Sequence, residues 1–417
     1  MEAGLLIILP FILLLVAIAV MPFINSKWWN RNYSIVSVSL ALIVVIYYLF
    51  AGRPAAVLAS IEEYVMFISF IFSVYVVSGG ILIEIEGSAT PLRNIALLAT
   101  GAVMANLVGT IGASIILIRP FIRTNRNRFS AYHIAFFIFI VSNAGGLLTP
   151  IGNPPLLLGF LKGIPFFWIG QRTFLIWVVV ISALLLLFYF FDLNNFRKQP
   201  DTDRAKEEKE KLAFKGWLNA GLMCVIIASV FLTKPIFVRE AIMIAVSIVS
   251  YRFTNKEIHR INQFSFHPIK EVSWLFFGIF VTMSPALEAL VAHSDKIGLN
   301  TSSQFYWFTG IMSSILDNAP TYLAFLTASM GSFGLDFNNS AEVLRFILSH
   351  EGHAIAISVA SVLFGAATYI GNAPNLMVKS IAEHLGIKTP GFLGYIFKYS
   401  VPILIPLYLL IWLLFIR

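Results

Sequence analysis

The chain has 417 residues, of which 58% are hydrophobic and 12% charged, with a formal net charge of +8. Soluble domains carry about 25% charged residues, so a soluble globular protein is excluded. The basic excess does not point to nucleic acid, because Lys and Arg sit in short segments between apolar runs rather than in one patch interleaved with aromatics. One cysteine, Cys224, rules out an intrachain disulfide and any multi-cysteine metal site; in an apolar run it reads as a buried, inert thiol.

Apolar runs of about 17 to 25 residues recur, long enough to cross the hydrocarbon core as helices. The first, Leu5 to Val20, follows Glu2 and lacks a basic leader and a small-residue cleavage pattern, so it reads as a retained span rather than a signal peptide. Ile35 to Phe50 and Val65 to Ile83 are the next two spans, with Glu84 and Glu86 solvated just beyond. Residues 92–122 are apolar but interrupted by Gly109-Thr110-Ile111-Gly112-Ala113-Ser114, and Arg119, Arg123, Arg126 and Arg128 cluster at the far end. Glycines at the centre and charge at the base predict a re-entrant hairpin. Residues 131–161 read as a helix broken at SNAGGLLTPIGNPP, and Thr173 to Phe191 closes a first half, 1–191. Asp192 to Lys215 has no apolar periodicity and is expected to be an extramembrane linker.

The second half, 216–417, repeats the plan. Trp217 to Leu232, Ile236 to Tyr251 and Val272 to Leu290 are spans. Residues 302–330 form a second apolar stretch interrupted by Asp317-Asn318-Ala319-Pro320-Thr321, residues 353–383 a second broken helix, and Phe392 to Ile416 the last span. The two breaks share an Ile-Gly-Asn triplet, Ile151-Gly152-Asn153 and Ile370-Gly371-Asn372. Proline lacks an N–H and glycine loosens the backbone, so neither copy continues as an unbroken helix. Freed polar backbone at membrane depth is tolerated only inside protein or along a polar cavity. Paired interruptions in two halves point to a transporter's binding site. The expected fold is an all-α polytopic membrane protein of two inverted repeats, each with about five crossings, a re-entrant hairpin and a broken helix. With 192–215 on the cytoplasmic side, most of the 29 Lys and Arg fall on that side too, and both termini are external.

Two tips and two breaks would converge. They offer Thr110 and Ser114; Ser142, Asn143, Thr149, Gly152 and Asn153; Asp317, Asn318 and Thr321; and Thr368, Gly371, Asn372 and Asn375. Hydroxyls, amides, carbonyls and one carboxylate are hard oxygen ligands suited to an alkali cation. Half-helix ends add partial charge of either sign. Asp317 reads either as a coupling-ion or proton site or as the cap of the following half-helix, and one role does not exclude the other. Glu288 reads as interfacial or packing at least as readily as a proton relay, and His133 as interfacial rather than catalytic. His293, His350 and His353 make no metal motif. No nucleophile elbow, P-loop or HExxH is present, so an enzyme is not expected.

The ordered set GTIGAS, SNAGG, TPIGNPP, FGIFVTMSPALE, SILDNAPT and GNAPN resembles the ion transporter superfamily, from about Val65 to Phe397. Within it, GTIGASIILIRP, SNAGGLLTPIGNPP and LDNAPTY are similar to bacterial proteins described as citrate transporters or sodium:proton antiporters. The resemblance implies a bacterial inner-membrane carrier with a scaffold part and a transport part, commonly homodimeric, without a resident cofactor. It further implies sodium at Thr110, Ser114, Asn143 and the Gly152 carbonyl, and again at Asp317, Asn318, Thr368 and the Gly371 carbonyl. Two departures bear on substrate: neither tip is Ser-Asn-Thr, as in dicarboxylate carriers, and the first tip lacks the aspartate of many antiporters. Sodium:proton antiport is the leading expectation, because a carboxylate can bind sodium or a proton in turn. Sodium- or metal-linked carriage of citrate or a dicarboxylate is the alternative.

Overall fold

A computed structural model describes residues 6–86, 90–198, 211–232, 237–292 and 298–417. The central part of the expected linker, the residue that opens the expected span at Ile236, and His293 lie outside these ranges. The protein is a polytopic all-α membrane protein. Six helices among the described residues are long and apolar enough to cross a membrane, and the one sheet is a two-stranded ribbon.

The first elements are α1 (Leu9–Ile24), α2 (Ser26–Phe50) and α3 (Pro54–Gly79). Pro54 opens α3 where its missing N–H costs nothing, since a first-turn N–H has no helical partner. The expected third span ends early. Leu82–Glu86 is a strand, β1, paired antiparallel with β2 (Lys211–Lys215), and Glu84 is ion-paired with Lys215 at 2.8 Å rather than simply solvated.

Helix α4 (Pro91–Thr124) is helical on both sides of Gly109, whose φ of 73° is in the left-handed region. The chain reverses there. Asn94 and Asn125 exchange two amide hydrogen bonds, each 2.8 Å. In a straight helix, residues 31 apart in sequence would be separated by about 46 Å. Then follow α5 (Ala131–Ile140), a short 3-10 turn at Ala144–Leu147, α6 (Pro154–Leu161) and α7 (Trp168–Arg197).

In the second half, α8 (Trp217–Ser229), α9 (Val238–Phe253), the short α10 (Lys256–Ile261) and α11 (His267–Ala292) lead to α12 (Ser302–Ile315) and α13 (Asn318–Ser332). Helices α12 and α13 also double back: the rings of Phe305 and Phe333, near their outer ends, lie 5.2 and 5.6 Å from the same His353 imidazole. A helix not expected from the sequence, α14 (Ser340–Ser349), meets α15 (Glu351–Phe364) at 99°. It buries Val343, Phe346 and Ile347 and leaves Leu344 and Leu348 outside. A 3-10 turn at Gly365–Ala367, then α16 (Ala373–His384) and α17 (Phe392–Ile416, partly π-helical) complete the chain.

Three sequence expectations are corrected. Cys224 is exposed on α8, because in a membrane protein an apolar helix face can point to lipid as readily as inward. Asp192, expected to begin a solvated linker, is fully buried in α7. It accepts from Arg128 Nη2 (2.8 Å), Tyr132 Oη (2.7 Å) and Asn94 Nδ2 (2.9 Å). His133, expected to be interfacial, is buried with Nε2 3.2 Å from the same carboxylate. A buried carboxylate needs such partners, and this one ties the incoming arm of α4 and the turn that follows α4 to α5 and α7. Glu288 makes a two-pronged ion pair with Arg53 (2.9 and 2.8 Å).

The polar contacts divide the described residues into two groups. The side-chain hydrogen bonds named here fall within 6–86 plus 211–292, or within 90–198 plus 298–417, and one ion pair crosses between them. Lys162 of the second group pairs with Glu63 of the first. The groups also meet through nonpolar packing, such as Phe166 against Phe231.

Candidate functional site

Two breaks and two tips meet in the second group. In the first break the helix stops at Ile140 and restarts at Pro154-Pro155, whose missing N–H groups suit a helix start. In the second it stops at Ala367 and restarts at Ala373-Pro374.

Each break is fastened to its own tip in the same way. Thr149 donates its hydroxyl to the Asn106 carbonyl (2.6 Å) and accepts from the Gly152 N–H (3.1 Å), while the Gly152 carbonyl accepts from the Thr110 N–H (2.9 Å). Thr368 donates to the Ser314 carbonyl (2.7 Å) and accepts from the Gly371 N–H (3.1 Å), and the Gly371 carbonyl accepts from the Asn318 N–H (3.1 Å). Thr110 thus corresponds to Asn318, and Gly109 to Asp317.

Between the breaks runs a chain of buried amides. Asn143 donates to the Ile138 carbonyl and to Asn375 Oδ1, both at 2.8 Å, and its own Oδ1 accepts from Asn372 (3.0 Å). Asn372 also donates to the Ser142 carbonyl (3.0 Å), and Asn375 to the Gly365 and Thr368 carbonyls (2.8 and 2.9 Å). Asn318 donates to Asn153 Oδ1 (3.0 Å), and Asn153 reaches the Asn143 carbonyl at 3.4 Å. Ser114 and Ser142 share a hydroxyl bond of 2.9 Å. Low dielectric strengthens each bond and makes any broken one costly.

The oxygens left over matter most. Asn318 Oδ1, Asn372 Oδ1 and Thr110 Oγ1 are buried without a hydrogen-bond partner. Glycine brings further atoms close. A Cβ added at Gly365 would lie 3.1 Å from the Gly371 carbonyl oxygen, 3.2 Å from Asn143 Oδ1 and 3.3 Å from Asn318 Nδ2. One added at Gly371 would lie 2.7 Å from both the Gly365 and Ser313 carbonyl oxygens. Asp317 accepts from the Ala319 N–H through Oδ1 (3.0 Å), and its carbonyl accepts from Thr321 Oγ1 (2.9 Å). It is a cap, and no basic side chain among the described residues pairs with it.

Backbone donors at the starts of α6 and α13, by contrast, are used up. At the start of α13 the Asn318 and Ala319 N–H groups are bonded and Pro320 has none; Pro154, Pro155 and Pro374 remove donors at the other two restarts.

All fourteen residues expected at the site lie on these tips and breaks. Ser114, Ser142, Asn143, Asn153, Asn318, Asn372 and Asn375 join across elements. Thr149 and Thr368 act as fasteners, and Thr321 serves the Asp317 turn. Asn106 was not foreseen: its side chain accepts from the Leu148 N–H (2.9 Å) while its carbonyl holds Thr149. A lone amide within an apolar run was the available signal.

A family described as "Putative citrate transport" matches residues 1–416. The chain belongs to this citrate-transport family. Among curated proteins none matches it. Membership makes the protein a membrane transporter of the citrate-transport family.

Proposed function

We propose that this family member is a cation-coupled secondary transporter that carries a citrate-class carboxylate, with the cation held where the two tips meet the two broken helices. One observation carries the cation part. The site keeps three buried oxygen atoms without a hydrogen-bond partner, and the N–H groups that open α6 and α13 are bonded or replaced by proline. Unsatisfied buried acceptors are ordinarily few; hard oxygen atoms around a polar break suit sodium or another hard cation. The family supports the carboxylate. In this reading the two sets of matching tip contacts belong to inverted repeats, the site lies near the membrane midplane, and 192–215 is cytoplasmic. Homodimer formation and a bacterial inner-membrane location belong to the same proposal.

Sodium:proton antiport is the second reading, favoured by Asp317, a carboxylate at the tip without a basic partner. The test uses purified protein in liposomes with an acidic interior and a pH-sensitive dye. Cation-dependent uptake of labelled citrate, without proton efflux on sodium alone, supports carboxylate carriage. Proton efflux on sodium alone, without citrate uptake, overturns it for the antiporter.

A further inference from the structure

The outgoing arm of α4 carries a buried cation without an anion. Arg119 is 6% exposed, its Nε has no hydrogen-bond partner, and it forms no ion pair among the described residues. Its electrostatic neighbours are Arg123, of like charge, and Tyr75, whose hydroxyl is donated to the Ser265 carbonyl. Gly112, Ile115, Ile116 and Arg119 share a helix face by their spacing. Gly112 sets the direction of that face: its Cβ would lie 2.7 Å from Ser78 Oγ and 3.3 Å from a Val74 methyl, both on α3. Arg119 therefore lies along the seam between the two groups, where Ser78 Oγ is also buried and unpartnered. Charged groups inside proteins are ordinarily paired. A guanidinium is a planar fork of donors that matches a carboxylate. Helical side chains lean towards the N-terminus, which here is the tip at Thr110.

We propose that Arg119, with Ser78, binds a carboxylate group of the transported anion on the seam between α3 and the outgoing arm of α4. This deepens the proposed function and rests on it. The tip supplies oxygens for the cation, and Arg119, nine residues along the same arm, supplies the positive charge that the tip lacks. Cation and carboxylate are held by different atoms of one element.

The test measures citrate uptake into liposomes of neutral lipid by wild type, Arg119→Gln and Arg119→Lys. Expected is a rise of about tenfold or more in half-saturating citrate for Arg119→Gln. Arg119→Lys should fall between it and wild type, with half-saturating cation within about twofold throughout. Half-saturating citrate unchanged in Arg119→Gln overturns the site while leaving citrate carriage intact; no citrate uptake by wild type overturns both. An effect that appears only in anionic lipid overturns the proposal in favour of a lipid headgroup. An independent measurement keeps Arg119. In a Cys224→Ser background, Ser78→Cys should be labelled by a small thiol reagent more slowly when citrate is present. Labelling indifferent to citrate counts against the site.

Discussion

Lys162, just after α6, is bound to Glu63 of α3, and the same ammonium lies 2.8 Å from Asn338 Oδ1 and 5.0 Å from the Phe337 ring centre. The Lys162–Glu63 ion pair joins the two groups. Nonpolar packing has little directional preference and resists sliding weakly, whereas an ion pair must break before its partners separate. Lys162→Met and Glu63→Gln should therefore each change citrate turnover by the same factor, and the double variant should add nothing. Effects that multiply in the double variant would show that the two residues act independently. The loss of fold stability should be small, about 1 kcal/mol or less, because the pair is partly exposed.

Asn143 holds atoms of both broken helices at once. Asn143→Ala leaves Asn375 Oδ1 without this donor and the Asn372 amide with one acceptor fewer, at about 1 to 3 kcal/mol for each buried group. The expected outcome is a lower unfolding temperature in detergent and a half-saturating cation concentration raised about tenfold or more. Unchanged cation dependence in both Asn143→Ala and Asn372→Ala would remove the site from this position.

Asp317→Asn separates charge from shape. Asparagine also accepts from the N–H two residues on, so the α13 cap and the fold should persist. Coupled transport should be lost, read as uptake that no longer responds to a cation gradient. Full retention of cation-coupled uptake would reduce Asp317 to a cap.

Asp192→Asn removes a buried charge from Arg128, Tyr132, Asn94 and His133 together. Stranding the Arg128 guanidinium should destabilise the protein by about 3 to 5 kcal/mol, seen as a lower midpoint of thermal unfolding. The Asp192→Asn, Arg128→Gln double variant should recover part of that loss. No recovery would mean that the destabilisation does not arise from an unpaired arginine.

Gly371→Ala brings a methyl to 2.7 Å from two carbonyl oxygens, at Gly365 and Ser313, and backbone cannot swing aside as a side chain can. Transport should fall at least about tenfold, with the cation response most affected. Normal transport in this variant would argue that the second break is not held this tightly.

Composition alone determined that this is a helical membrane protein, since runs this long and apolar have no stable alternative in water. Local chemistry determined the breaks: Gly109, the two Ile-Gly-Asn triplets and the prolines after them interrupt helices wherever they are placed. That is why the candidate oxygens around Thr110, Asn143, Asp317 and Asn372 were legible. Their connections were not. That Asn143 reaches Asn372 and Asn375, that Asp192 closes the base of α4, and that Lys162 meets Glu63 across the two groups are contacts between residues about 60 to 230 positions apart. Residue type sets what each group must find as a partner, and only the tertiary structure decides which one it meets. The same holds for exposure. Apolar sequence placed Cys224 inside and charge placed Asp192 and Arg128 outside, but a membrane reverses the first rule and a fully paired buried ion sets aside the second.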